Sequence, residues 1–241
     1  MEAIYERYHN RRKIQKKLID KNDYTYRGVL SYINKLKVNG LDILDIGCGV
    51  GSVDLYLANA GARVLGIDIS ANGIKIAKQN VSKLKIRNAK FRKMSFPNKI
   101  PNDKYDIILC LEVLEHLNND YGAVSKIRKL LKKDGILIAS SPSINSVMYR
   151  MGLLKKFDTE VGHLRRYSVK SFCTLFLKAK FKIVDIKKTQ GILRDFLFTT
   201  RLGGFALKFV NKWPLSGLAN LIDDLLVILF GESDLFVMVK K

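Results

Sequence analysis

With 241 residues, 47 % of them apolar, the chain can build one large α/β domain with a full core, which excludes global disorder. Lys and Arg total 43 against 22 Asp and Glu, a net charge of +21 that favours nucleic acid, anionic lipid or a phosphorylated substrate. The same lysines, spread along the chain, also serve simply to solvate a surface. Cys48, Cys110 and Cys173 are scattered and odd in number, as expected of reduced thiols in a cytoplasm rather than a disulfide framework. The charged start lacks an apolar signal core, and no apolar run reaches the ~20 residues that span a bilayer. A cytoplasmic protein is expected, at most resting on the inner membrane face.

Two helical patterns open the chain, at 2–20 and 24–37, and suggest an N-terminal helical cap over residues 1–40. Strands and helices then alternate. Strands are expected at 41–46, 63–68, 89–93, 105–110 and 136–140, and helices at 50–60, 71–84 (capped by Ser70) and 121–132. Such alternation means a parallel sheet covered on both faces, with ligands at the edge where the strands end. A long polar and aromatic loop is expected from Pro142 to Tyr167, then a helix at 168–179 and strands at 181–188 and 235–240. Residues 191–231 form an insert of about forty residues, far longer than a usual connection. It reads as two apolar helices, 193–210 and 215–230, broken at Trp213-Pro214.

The strongest motif is Leu41-Asp-Ile-Leu-Asp-Ile-Gly-Cys-Gly-Val-Gly51, a buried strand running straight into glycines 47, 49 and 51. Glycine is needed where the chain turns sharply and a ligand must approach the backbone. The second strand ends at Asp68, some ~20 residues on, where a carboxylate reaches the two hydroxyls of a ribose. A dinucleotide fingerprint would read G-x-G-x-x-G; here the third glycine comes one place early and Asp45 precedes the loop.

The run Asp45-Ile-Gly-Cys-Gly-Val-Gly51 resembles motif I of the class I S-adenosylmethionine-dependent methyltransferases, and the resemblance extends over about residues 41–185. It implies a Rossmann-like fold: a seven-stranded, mostly parallel sheet with helices on both faces, the last strand antiparallel. The methyltransferase domain would cover 41–241, carrying the insert. The resemblance also implies S-adenosylmethionine as cofactor, held by Asp45, Gly47, Cys48, Gly49, Gly51, Asp68, Ile69, Met94, Ser95 and Leu111. Met94 stands where an adenine-contacting Asp is common in that family, so an apolar contact, or a backbone contact at Ser95, replaces it.

In Glu112-Val-Leu-Glu115-His116 the polar residues recur at i, i+3 and i+4, hence on one helical face, and His163 lies on a loop of the same edge. Two carboxylates and imidazoles directed at one point suit Mg²⁺ or Mn²⁺. Glu-x-x-Glu-His with a later histidine is similar to the ubiquinone-biosynthesis O-methyltransferases and to the small-RNA terminal 2′-O-methyltransferases. That similarity implies Glu112, Glu115, His116 and His163 as metal ligands, with Glu115, His116 and His163 catalytic. The motif also admits a metal-free reading with a histidine as general base, and a structural one in which it only lines the pocket.

The expected function is O-methylation of a small lipid- or sugar-linked hydroxyl acceptor. The alternatives are an RNA 2′-O-methyltransferase, suggested by the charge, and a non-catalytic S-adenosylmethionine-binding protein. Nucleic acid is the less favoured partner, because Tyr5, Tyr8, Arg11 and Arg12 match no recognised RNA-binding motif. Arg165 and Arg166 offer forked donors for phosphate or carboxylate. The insert carries aromatic and basic residues together, as expected of a packed cap, a dimer contact or peripheral membrane contact.

Overall fold

Seven strands form one sheet in the order β3-β2-β1-β4-β5-β7-β6, with β7 antiparallel to both neighbours. The strands are β1 (Asp42–Ile46), β2 (Arg63–Asp68), β3 (Ala89–Lys93), β4 (Tyr105–Leu111), β5 (Leu131–Pro142), β6 (Lys182–Thr189) and β7 (Asp234–Lys240). This computed structural model describes residues 2–10, 14–211 and 215–241. The expected break at Trp213-Pro214, and the basic Arg11, Arg12 and Lys212, lie outside the described residues.

Strands β1 and β4 read as near-continuous apolar runs because both of their faces are covered. One face packs on α5 (Asp120–Leu130) and α8 (Val169–Lys178), where Phe172, Phe176 and Ile127 are fully buried. The other packs on α2 (Arg27–Ile33), α3 (Ser52–Asn59) and α4 (Ala71–Leu84). Ser70 caps α4 as its sequence announces, its side chain accepting from Gly73 N. The strand order reverses between β1 and β4, so the crevice at their carboxyl ends is the natural ligand position.

Several expected boundaries move. The opening helix is only α1 (Glu2–Asn10), and residues 14–20 are irregular. The second helical pattern, expected at 24–37, shortens to α2, whose Val29, Leu30, Tyr32 and Ile33 join the core rather than a detached cap. The expected loop at 142–167 holds two short helices, α6 (Val147–Arg150) and α7 (Lys155–Val161), the first capped by Ser146. Among its described residues the insert contains three helices, not two, because Thr200 interrupts the first pattern: α9 (Ile192–Thr199), α10 (Arg201–Val210) and α11 (Leu215–Phe230). The Thr200 side chain accepts from Gly203 N and so starts α10 afresh. No helix among the described residues is long and apolar enough to cross a membrane.

Candidate active site

The glycine loop leaves β1 at Ile46 and is pinned to β2, where Gly47 N and Cys48 N both donate to Ile67 O at 2.8 and 3.1 Å. Gly47 and Gly49 adopt φ of +80° and +55°, a region that side chains resist. A β-carbon on Gly47 would overlap Val113, and one on Gly49 would stand 3.3 Å from His9 Nε2. Asp68 closes the loop from the end of β2: its Oδ2 accepts from Gly49 N at 2.9 Å and its Oδ1 from Ser70 N at 2.8 Å. Each oxygen keeps a further lone pair for a ribose hydroxyl.

Below the loop, Asp45 and Asp54 are buried neighbours, and burial raises both carboxyls above their usual range. The Asp45 Oδ1 atom has no other partner, which fits a cationic group seated above it. Ile69, Met94, Ser95 and Leu111 follow or end β2, β3 and β4, so the topology places them along the same sheet edge. Gly51 and Cys48 close the turn, through Gly51 N donating to Cys48 O.

Helix α1 covers this edge. Glu6 accepts from Ala71 N and Asn72 N at the start of α4, and Glu2 pairs with Lys93 at 2.6 Å. These acids complement the positive end of α4 and a basic strand end. His9 is buried against the glycine loop, and the Tyr5 ring stands edge-on to His116 with centroids 5.5 Å apart. Glu6 and His9 in this position were not legible from the opening helix pattern.

Beyond β4 the chain makes one 3₁₀ turn, Leu114–His116, rather than a full helix. Glu115 is completely buried; its Oε2 accepts from Ser141 Oγ at 2.9 Å, while Oε1 has no hydrogen-bond partner. That orphan oxygen lies 3.6 Å from His116 Nε2 and 4.0 Å from His163 Nε2. Leu164 N donating to Glu115 O, at 2.9 Å, ties the second histidine's loop to the first motif. Each imidazole is oriented from behind. His116 Nδ1 lies 2.9 Å from Gly162 O, and His163 Nδ1 lies 2.8 Å from Asp158 Oδ1. The Gly162 carbonyl fixes Nδ1–H on His116, the Asp158 carboxylate orients His163, and both Nε2 atoms face Glu115.

Burial lowers His116 to about 4, so this ring is neutral near pH 7. Burial, with repulsion from Glu112, raises Glu115 well above the usual carboxylate range. One carboxyl oxygen and two imidazole nitrogens thus lie within 4.8 Å of one another. A divalent cation suits this set chemically, because its charge would favour the ionised Glu115 that burial alone disfavours.

Glu112 does not join the cluster. It sits at φ +54° at the strand end, so the single helical face expected for Glu112, Glu115 and His116 does not form. Its Oε1 accepts from Ser140 Oγ at 2.7 Å, and its Oε2 lies 3.7 Å from Arg194. Arg165 and Arg166 are likewise not free forks for a substrate. Arg166 binds Asp158 through Nε and Nη2 at 2.9 and 2.7 Å, and Arg165 pairs with Asp120 at 2.8 Å. Asp158 and Arg194 were not identified in the sequence, although an acid five places before His163 on a lysine-rich stretch was a usable signal.

A methyltransferase domain family model matches residues 37–192. A ubiquinone biosynthesis O-methyltransferase of Glaesserella parasuis is 34 % identical over 131 residues, 51 % of this chain and 55 % of that one. The corresponding protein of Rhodopseudomonas palustris is 31 % identical over 117 residues, 48 % of this chain and 46 % of its own. The chain thus spans about half the length of the curated relatives it matches. Among solved structures, magnesium protoporphyrin IX methyltransferase of Synechocystis with bound SAH superposes with a TM-score of 0.66 at 19 % identity. That match covers 100 % of this chain and 97 % of the other. Phosphoethanolamine N-methyltransferase 2 of Haemonchus contortus gives a TM-score of 0.64 at 16 % identity, over 90 % and 52 %. Both neighbours share the fold. With the glycine loop, the strand order and a family match over more than half its length, this chain belongs to the methyltransferase domain family.

Proposed function

We propose that the chain transfers the methyl group of S-adenosylmethionine to a hydroxyl of a small lipid- or sugar-linked acceptor. A divalent ion held by Glu115, His116 and His163 is part of this reading. The observation that carries it is the convergence of three lone-pair donors on one point beside the cofactor edge, with Glu115 Oε1 otherwise unpartnered. The partial likeness to ubiquinone biosynthesis O-methyltransferases supports an O-methyl product.

The cofactor seat is the glycine loop with Asp68 on the ribose and Asp45 beneath. The sulfonium is itself a good leaving group, so the protein chiefly holds the acceptor oxygen in line and helps it lose its proton. A Mg²⁺ or Mn²⁺ ion would lower the hydroxyl pKa. Asp158 and the Gly162 carbonyl keep both imidazoles aimed at Glu115 Oε1, and the Tyr5 ring of α1 covers the His116 side of the same corner. Glu112 lies beside the cluster, held by Ser140 and Arg194, and becomes a fourth ligand, through oxygen, only if those contacts open.

The test is methyl-labelled S-adenosylmethionine incubated with lipid, soluble small-molecule and RNA fractions of a cell extract, with and without EDTA. Label in a base-stable ether of the lipid or small-molecule fraction, lost with EDTA and restored by Mn²⁺, supports the proposal. Label confined to RNA, or transfer indifferent to EDTA, overturns the corresponding part of it.

A further inference from the structure

Helix α11 is arranged the opposite way from an ordinary surface helix. Its buried residues are Ser216, Ala219 and Asp223, small or polar, whereas Leu218, Leu221, Leu225 and Ile228 are 55, 60, 55 and 79 % exposed. Steps of three and four residues align these in one stripe. From Leu215 to Leu229, both exposed, the stripe runs about 21 Å. Helix α10 repeats the pattern with Leu202, Phe205 and Phe209, again spaced along one face. A soluble surface seldom leaves so much contiguous apolar area uncovered.

The charges around it are mostly basic. Asp223 is buried on Arg27, and Asp224, although exposed, is held to the same Arg27 at 2.7 Å. Arg201 and Lys208 are exposed on α10, and the Lys208 ammonium lies 5.7 Å from the Phe205 ring centre, flanking the apolar face. Arg150 Nη2 donates to Phe230 O at 2.8 Å, which brings the α6–α7 turn to the end of α11. That turn adds exposed Met151 and Leu153, followed by exposed Lys155 and Lys156.

Charge selects the occupant of this face. Two copies of a +21 chain repel one another, whereas a negatively charged lipid surface attracts each lysine and arginine at the rim. We propose that α10, α11 and the α6–α7 turn dock this chain on an anionic lipid bilayer. The apolar stripe sits at the acyl boundary, and Arg150, Arg201 and Lys208 meet the headgroups. With no described helix able to cross, the contact lies in the membrane plane. The inference rests on the exposed helices alone and stands apart from the reading of methyl transfer.

Co-sedimentation of the full chain with vesicles of phosphatidylcholine, alone or mixed with phosphatidylglycerol, tests it at low and high salt. Expected is binding to the mixed vesicles that weakens with salt, and a loss of at least about tenfold in partitioning for Leu221→Glu/Ile228→Glu. A Leu221→Ser/Ile228→Ser pair, which adds no charge, gives a smaller loss in the same direction. Circular dichroism and S-adenosylhomocysteine binding check that both variants fold. Three outcomes overturn the proposal: no binding to mixed vesicles, partitioning equal in variants and parent, or a solution dimer that the same substitutions dissociate.

Discussion

Arg194, carried on the insert helix α9, reaches the end of β4, where its Nη2 stands 3.7 Å from Glu112 Oε2. Its Nε also meets Asp234 Oδ2 at 2.7 Å and Gln190 Oε1 at 3.0 Å, so one cation joins the insert, β7 and the motif after β4. Arg194→Ala leaves Asp234, Glu112 and Asp195 without their shared counter-charge in a buried place. Such removal costs about 3 kcal/mol or more. Urea unfolding checks it, and a loss below about 1 kcal/mol would show the pairing to be energetically idle.

Asp158 acts on the histidine cluster without belonging to it, through the 2.8 Å contact with His163 Nδ1. Asp158→Asn keeps the shape but weakens the hold on the ring and its tautomer. Mn²⁺ affinity, read by electron paramagnetic resonance, is expected to fall by about 10- to 100-fold. Thermal melting of the variant separates this from a general loss of structure, since Asp158 also anchors Arg166. An unchanged Mn²⁺ affinity would remove Asp158 from the site.

Glu115→Gln keeps the volume of the buried side chain and the contact with Ser141, but cannot ionise to hold a cation. Mn²⁺ binding should drop at least about tenfold. Binding of S-adenosylhomocysteine should persist, because Glu115 does not belong to the glycine loop or to Asp68. Parallel loss of both would mean that Glu115 holds the fold rather than an ion.

At the opposite edge of the sheet, Asp42 pairs with Arg63 at 2.7 Å and Lys132 at 2.8 Å, and these contacts lower its carboxyl to about 2. A depressed carboxyl adds stability above its unfolded value near 4, and that contribution disappears as pH falls through about 2. The site is solvent-facing, so screening limits it to about 1 kcal/mol or less. Asp42→Asn is therefore expected to be slightly less stable than the parent at pH 7 and equal to it below about pH 2. A difference that persists at low pH would point to packing instead of charge.

The alternating strands and helices from β1 to β5 were legible because β1 and β4 are apolar on both faces and several turns carry glycine or a capping residue. Ser70 and Gly47 announced their positions directly. The topology brought His163 to the same sheet edge as His116, but its convergence with Glu115 and His116 came from resemblance, since 46 positions separate His116 from its partner Gly162 and no local period links the two loops. Glu112 misled the reading by its spacing. A positive φ at that residue, invisible in a pattern of i, i+3 and i+4, turns it toward Ser140 and Arg194. The insert's apolar periodicity predicted helices but missed the division at Thr200, and amphipathic spacing does not say which face is inward. On α11 the polar Asp223 faces in, drawn by Arg27 and the Gly191 amide, and the leucines face out.

Calorimetric titration of S-adenosylhomocysteine into the parent chain and into Asp68→Ala probes the seat on which every chemical step depends. Expected is a saturable heat for the parent and a loss of affinity of at least about tenfold in the variant, since Asp68 orders Gly49 and is the residue proposed to bind the ribose. No heat with the parent, or an Asp68→Ala variant that binds as tightly, would contradict the assignment of this edge as the cofactor site.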